Sequence, residues 1–121
     1  GGGIFVNWGC YDLDYMLGLT GWSLKPKTSL AQTWNVPSQL MSEVAPGSDA
    51  ESHIIALICC EGGCVISYER GEYMSCKDES SWQIIGSKGT MKLWMPTMSH
   101  KKILYDYVTT DKCVESRIIW E

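Results

Sequence analysis

Three polar side chains near the start of the sequence carry the residue types that chemistry at a hydroxyl group needs: Asn7, Tyr11 and Asp14. Their spacing, i, i+4 and i+7, puts them on one face if the segment is helical. An amide, a phenol and a carboxylate would then sit together on an element otherwise dominated by apolar residues. A phenol in a suitable environment donates or accepts a proton, and an amide can orient a hydroxyl. The alternative is that the three groups satisfy backbone atoms around the neighbouring glycine turn. Spacing alone leaves both readings open.

Other chemistry-bearing residues are more isolated. Gly1-Gly2-Gly3 precede the segment, but a phosphate-binding loop needs a preceding strand and a different glycine spacing, so they support only a close backbone approach. His53 and His100 each stand alone and read as structural histidines. Ser67 has no His and Asp partners near it in sequence, which leaves a hydrolase triad without support. Arg70, between Glu69 and Glu72, reads as part of a solvated strand face. The cysteines, Cys10, Cys59, Cys60, Cys64, Cys76 and Cys113, form no Cys-x-x-Cys pair and have no nearby His, so no metal site is expected. Most lie in apolar runs and are expected to be buried free thiols in a reducing cytoplasm.

The elements that would position these groups follow from periodicity. Ile4 to Leu19 runs without a break and ends at Gly18 and Gly21, as a helix does. Val6, Cys10, Leu13 and Leu17 would form one apolar face, and Ile4, Trp8, Tyr11 and Tyr15 a second, aromatic one. Strand-like segments follow at Thr28 to Val36, His53 to Cys60 and Cys64 to Met74. The second of these is apolar enough for a central, doubly covered strand, and Glu61-Gly62-Gly63 makes the turn after it. Ser38 to Ser52 reads as a loop or short irregular piece. Trp82 to Ile85 and Thr90 to Met95 flank the reversal Gly86-Ser87-Lys88-Gly89. Pro96 to His100 connects to Ile103 to Thr110 and Val114 to Trp120, with a turn at Asp111-Lys112 between them. The expected architecture is α+β: an N-terminal helix packed on an open-faced, mainly antiparallel sheet of about six strands.

The chain has 121 residues, which fits one domain, and 45% of them are hydrophobic against 20% charged, a globular balance. The net charge of −4 and the lack of a basic stripe argue against nucleic acid and anionic membranes as partners. No apolar run approaches the ~20 residues of a membrane span. The chain opens on Gly rather than Met and stops inside the apolar Ile118-Ile119-Trp120-Glu121, so both ends are expected to be cut from a longer protein. Six tryptophans and six tyrosines are available to cover an open sheet face against another subunit.

The run Gly1-Gly2-Gly3-Ile4-Phe5-Val6-Asn7-Trp8-Gly9-Cys10-Tyr11-Asp12-Leu13-Asp14 resembles the start of the C-terminal domain in the glucose–fructose oxidoreductase and inositol dehydrogenase family (Gfo/Idh/MocA). That signature is a glycine triplet, apolar residues, an acidic residue, Gly, a His and then Asp. Trp82-Gln83-Ile84-Ile85-Gly86-Ser87-Lys88-Gly89-Thr90-Met91-Lys92-Leu93 is similar to the family's Gly-x-x-Gly strand pair, and the hairpin at Glu61-Gly62-Gly63 falls where the family has one.

The resemblance implies a dihydrodipicolinate reductase-like C-terminal domain over residues 1–121, used for substrate binding and oligomerisation. It implies an N-terminal Rossmann domain, absent from this chain, that binds NAD or NADP and carries a catalytic Lys in a Lys-Pro motif; no cofactor is expected on the chain itself. The implied protein is a cytoplasmic sugar or polyol oxidoreductase, a homo-dimer or tetramer through its sheet face, with this fragment inactive alone. The family's usual acidic residue falls on Asn7 and its usual His on Tyr11; tyrosine at that second position resembles the glucose–fructose oxidoreductase and dihydrodiol dehydrogenase branches. Tyr11 and Asn7 are the implied catalytic residues, with Asp14 joining them in substrate binding. The alternative is a non-catalytic binding or assembly module of the same fold.

Overall fold

The computed structural model describes residues 2–77, 79–93 and 102–121. The chain divides into two compact units, Gly1–Cys76 and Lys77–Glu121.

The first unit begins with a π-helical turn, Phe5–Gly9, that runs directly into α1, Cys10–Leu19. The helix closes as its glycines foretell. Gly21 has φ 64°, and the paired bonds Gly21 N–H to Gly18 O at 2.9 Å and Trp22 N–H to Leu17 O at 2.8 Å satisfy the last carbonyls in a Schellman cap. At the other end Glu51 Oε1 accepts the Phe5 N–H at 3.4 Å, a carboxylate at the positive end of the helix. Gly3 makes this possible: its φ is 78°, and a Cβ there would collide with the Glu51 carboxylate.

The π turn changes which side chains face inward. In an unbroken α-helix Ile4 would share its face with Trp8, Tyr11 and Tyr15. An i→i+5 turn inserts one residue into that count, so Ile4, Gly9 and Asp12 are buried instead. Trp8 and Tyr11 turn out to the surface, 40% and 63% exposed. The expected apolar stripe is split for the same reason: Leu13 packs on the core, while Val6 and Cys10 are exposed.

Behind the helix lies a three-stranded antiparallel sheet in the order β1-β2-β3, comprising β1 (Pro26–Asn35), β2 (Glu51–Cys60) and β3 (Val65–Gly71). Glu61–Gly63 forms the tight turn between the last two, with φ 78° at Gly62 and 88° at Gly63. A short 3-10 helix, Ser38–Glu43, lies within the segment expected to be a loop or short irregular piece. Ile54, Ala56 and Tyr68 close a core with Ile4, and Phe5, Leu13 and Ile58 pack against it. Phe5 meets the Tyr68 ring edge-on at 6.0 Å. β2 is central, as its apolar run suggests, but within this unit only its helix-facing side is covered. The alternate residues Ile55 and Leu57 are exposed, as are Leu30, opposite Leu57, and Val65.

The second unit is a four-stranded antiparallel sheet in sequence order, made of β4 (Trp82–Gly86), β5 (Gly89–Leu93), β6 (Ile103–Val108) and β7 (Val114–Trp120). Lys92 Nζ pairs with Asp106 Oδ2 at 2.7 Å, and Arg117 lies over the stacked rings of Tyr105 and Tyr107. The turn expected at Asp111-Lys112 is present, with φ 61° at Lys112 and the Thr109 N–H bonded to Cys113 O at 2.8 Å. Trp94, Met95 and the connector Pro96 to His100 lie outside the described residues.

The α+β class is as expected; among the described residues seven strands form two antiparallel sheets, where one sheet of about six was expected. The cysteines are free, yet only Cys60 is buried. Cys10 is turned outward by the π turn, Cys59 lies on the open sheet face, and Cys64 and Cys113 sit at turns.

Candidate functional site

The first helix presents Asn7, Tyr11 and Asp14 as exposed side chains. None of the three side chains hydrogen-bonds to another described residue. Among the described residues the Tyr11 ring has one aromatic neighbour, Trp8, met at 6.4 Å and 62° between planes.

Beneath this surface lies a polar cluster that helical spacing did not single out. Asp12, 2% exposed, accepts the Tyr68 hydroxyl at Oδ2 over 2.8 Å and the Arg70 Nη1 at the same oxygen over 3.4 Å. Its other oxygen, Oδ1, is buried with no hydrogen-bond partner among the described residues. The Arg70 guanidinium lies 4.8 Å from the Trp8 ring centroid, a cation–π contact worth about 0.5–1 kcal/mol on an exposed surface. Trp8 Nε1 donates to Glu72 Oε1 at 3.3 Å. Arg70 is thus partly buried, its side chain 28% exposed and paired with Asp12 rather than standing free on a solvated strand face. Its neighbour Glu69 points to the other side of the sheet, where it pairs with His53 at 2.9 Å, and Trp34 meets that His53 ring at 5.0 Å with the planes tilted by 32°.

Burial pushes the Tyr68 phenol well above its ordinary value, and the adjacent Asp12 carboxylate adds to the shift by holding the proton on the hydroxyl. Tyr68 is thus a fixed donor to Asp12 rather than a proton carrier. The sequence held one signal for this cluster: Ala56 and Tyr68 are opposite one another across β2 and β3, and Ile54 and Arg70 likewise. Tyr68 and Arg70 therefore share the core-facing side with the apolar residues of β2.

Two concavities accompany these features. One, about 170 Å³, lies among Trp34, Asn35, Pro37, Ser52, His53, Met74 and Ser75 in the first unit. The other, about 520 Å³ and shallow, lies wholly in the second unit, against Ile84, Met91, Tyr105, Arg117 and Ile119. Neither includes Asn7, Tyr11 or Asp14. Among the described residues there is no group of three or more His, Cys, Asp or Glu side chains able to hold a metal ion. No helix there is long and apolar enough to cross a membrane.

A family model, the GFO/IDH/MocA C-terminal domain, matches residues 1–92. The chain belongs to the Gfo/Idh/MocA family. The match takes in the helix, the whole three-stranded sheet and the β4–β5 hairpin up to Lys92. No curated protein and no solved structure matches the chain. As a Gfo/Idh/MocA C-terminal domain the chain is part of an oxidoreductase family.

Proposed function

We propose that this chain is the substrate-binding and oligomerisation domain of an NAD(P)-dependent oxidoreductase acting on a hydroxyl or carbonyl of a sugar or polyol. Family membership gives the oxidoreductase domain. The observation that carries the finer reading is the exposure of Asn7, Tyr11 and Asp14 on the first helix, each side chain without a described hydrogen-bond partner. Polar groups left open on a helix whose other face is fixed to a sheet are free to bind a ligand. In this reading Tyr11 gives or takes the proton of the reacting hydroxyl, Asn7 orients that hydroxyl or the phenol, and Asp14 accepts from a second hydroxyl.

NAD or NADP supplies the hydride chemistry and is held by a separate N-terminal domain. The glycines before the helix do not fit its phosphates, because the Glu51 carboxylate occupies the space beside Gly3 and bonds the Phe5 N–H. The six free thiols, five of them exposed, suit a reducing cytoplasm.

The open face of the three-stranded sheet supports self-association. Leu30, Ile55, Leu57 and Val65 leave apolar surface exposed there, and a second copy of the chain would cover it. The test is a nicotinamide absorbance assay on the protein expressed from the complete reading frame, run with NAD and NADP against a panel of polyols and sugars. Turnover with at least one of them is expected. Saturable sugar binding with no turnover would replace this reading with a non-catalytic binding module.

A further inference from the structure

We propose that Arg70 is a positioning residue for Tyr11, acting through the indole of Trp8. The inference rests on the reading of Tyr11 as the proton-transfer group. Its physical basis is a chain of contacts within the first unit that runs from the buried core to the exposed phenol.

The chain starts at Asp12, whose carboxylate is 2% exposed and is held at Oδ2 by Tyr68. That fixed carboxylate holds one end of the Arg70 guanidinium at 3.4 Å. Arg70 then lies across Trp8 at 4.8 Å, while the indole N–H is tied to Glu72 at 3.3 Å. An indole gripped on its face by a cation and at its nitrogen by a carboxylate has lost the freedom an exposed aromatic normally keeps. Trp8 in turn meets the Tyr11 ring edge-on at 6.4 Å, and no other aromatic contact to Tyr11 occurs among the described residues. Because Tyr11 is 63% exposed, it has little else to settle its ring. The π turn is what makes the arrangement possible, since it turns Trp8 and Tyr11 out of the core and puts Asp12 into it.

Arginine suits this place for a reason that lysine does not share. Its planar, delocalised cation can stack on the indole while one N–H still reaches Asp12, whereas an ammonium keeps the charge and loses the plane. Arg70→Lys is therefore the discriminating substitution, because it retains a cation beside the buried carboxylate. Trp8→Leu is the second, because it removes the relay and leaves the Asp12–Arg70 pair alone.

The experiment uses the protein from the complete reading frame, with 3-fluorotyrosine placed at position 11 and read by fluorine NMR. Arg70→Lys and Trp8→Leu are each expected to move the position-11 resonance while the unfolding midpoint of Arg70→Lys changes little. In the unlabelled protein both should lower kcat about ten- to a hundredfold with KM nearly unchanged, the scale expected when a reacting group is misplaced. Combined with Tyr11→Phe, Arg70→Lys should add no further loss. An unmoved resonance in Arg70→Lys, or fully additive losses with Tyr11→Phe, overturns the proposal. If Tyr11→Phe alone leaves turnover intact, the reading of Tyr11 as proton carrier fails, and the fluorine resonance still decides whether Arg70 positions the ring.

Discussion

Tyr68 donates its hydroxyl to Asp12 Oδ2 over 2.8 Å, tying the first helix to strand β3 across 56 positions of sequence. The Asp12 side chain is almost wholly removed from water, so this bond carries more weight than a surface contact would. Tyr68→Phe should therefore destabilise the protein by about 1–3 kcal/mol, the cost of leaving a buried acceptor short of a donor. Urea unfolding of the two proteins, followed by near-ultraviolet circular dichroism, measures it.

The same contact sets an alkaline limit. Tyr68 holds its proton more tightly when folded than the ordinary phenol of the unfolded chain, whose pKa is about 10. Its contribution is complete below that pH, because both states are then protonated. Above it the unfolded state ionises first, so stability falls as pH rises. The unfolding midpoint should decline more steeply above about pH 10 in the parent than in Tyr68→Phe.

Gly9 is a steric requirement of the π turn. A Cβ there would stand 2.6 Å from the Phe5 ring, which itself packs against the core. Gly9→Ala should cost about 1–3 kcal/mol, the range for overpacking a filled site, despite alanine's better helix propensity. Stabilisation by the substitution would contradict this account of the turn.

The strands were legible in the sequence, and the helix faces were not. Alternation and turn residues located β2, β3 and the β6–β7 hairpin to within a few residues, because those signals are local: the left-handed φ at Gly62 and Gly63 favours glycine whatever the surroundings. The helix was found with its limits, but regular 3.6-residue counting put Trp8 and Tyr11 beside Ile4 and made Val6 and Cys10 inward-facing. One inserted residue in the π turn reverses those assignments. A carboxylate at Asp12 reads as exposed in any local window, since the residues that make its burial tolerable, Tyr68 and Arg70, come more than fifty positions later. Asn7, Tyr11 and Asp14 are exposed, each with its side chain unbonded to other described residues. The division of the strands into two sheets left no mark in the alternation pattern, which records faces and not partners.

The open face of the first sheet bears on assembly. Leu57 lies at its centre between Leu30 on β1 and Ser67 on β3. Leu57→Lys should convert an oligomer to a monomer, visible as a fall in mass by light scattering on a sizing column. The same charge on an unassociated face would leave the mass unchanged and would direct the search for an interface elsewhere.

In the second unit Lys92 and Ser116 hold the Asp106 carboxylate below its usual range. A depressed carboxylate stabilises the fold above the unfolded pKa of about 4 and loses that contribution as pH falls. Replacing Lys92 by Met should move the Asp106 titration upward, read directly by carbon NMR of the side-chain carboxyl.

The central claim turns on the phenol of Tyr11. Tyr11→Phe in the protein expressed from the complete reading frame removes one oxygen from an exposed side chain and leaves the core untouched. Turnover on its best sugar or polyol should fall about 10²- to 10⁴-fold, the contribution of a positioned general acid or base, with the unfolding midpoint preserved. Unchanged turnover in a folded Tyr11→Phe protein would contradict the assignment of this helix as the site of proton transfer.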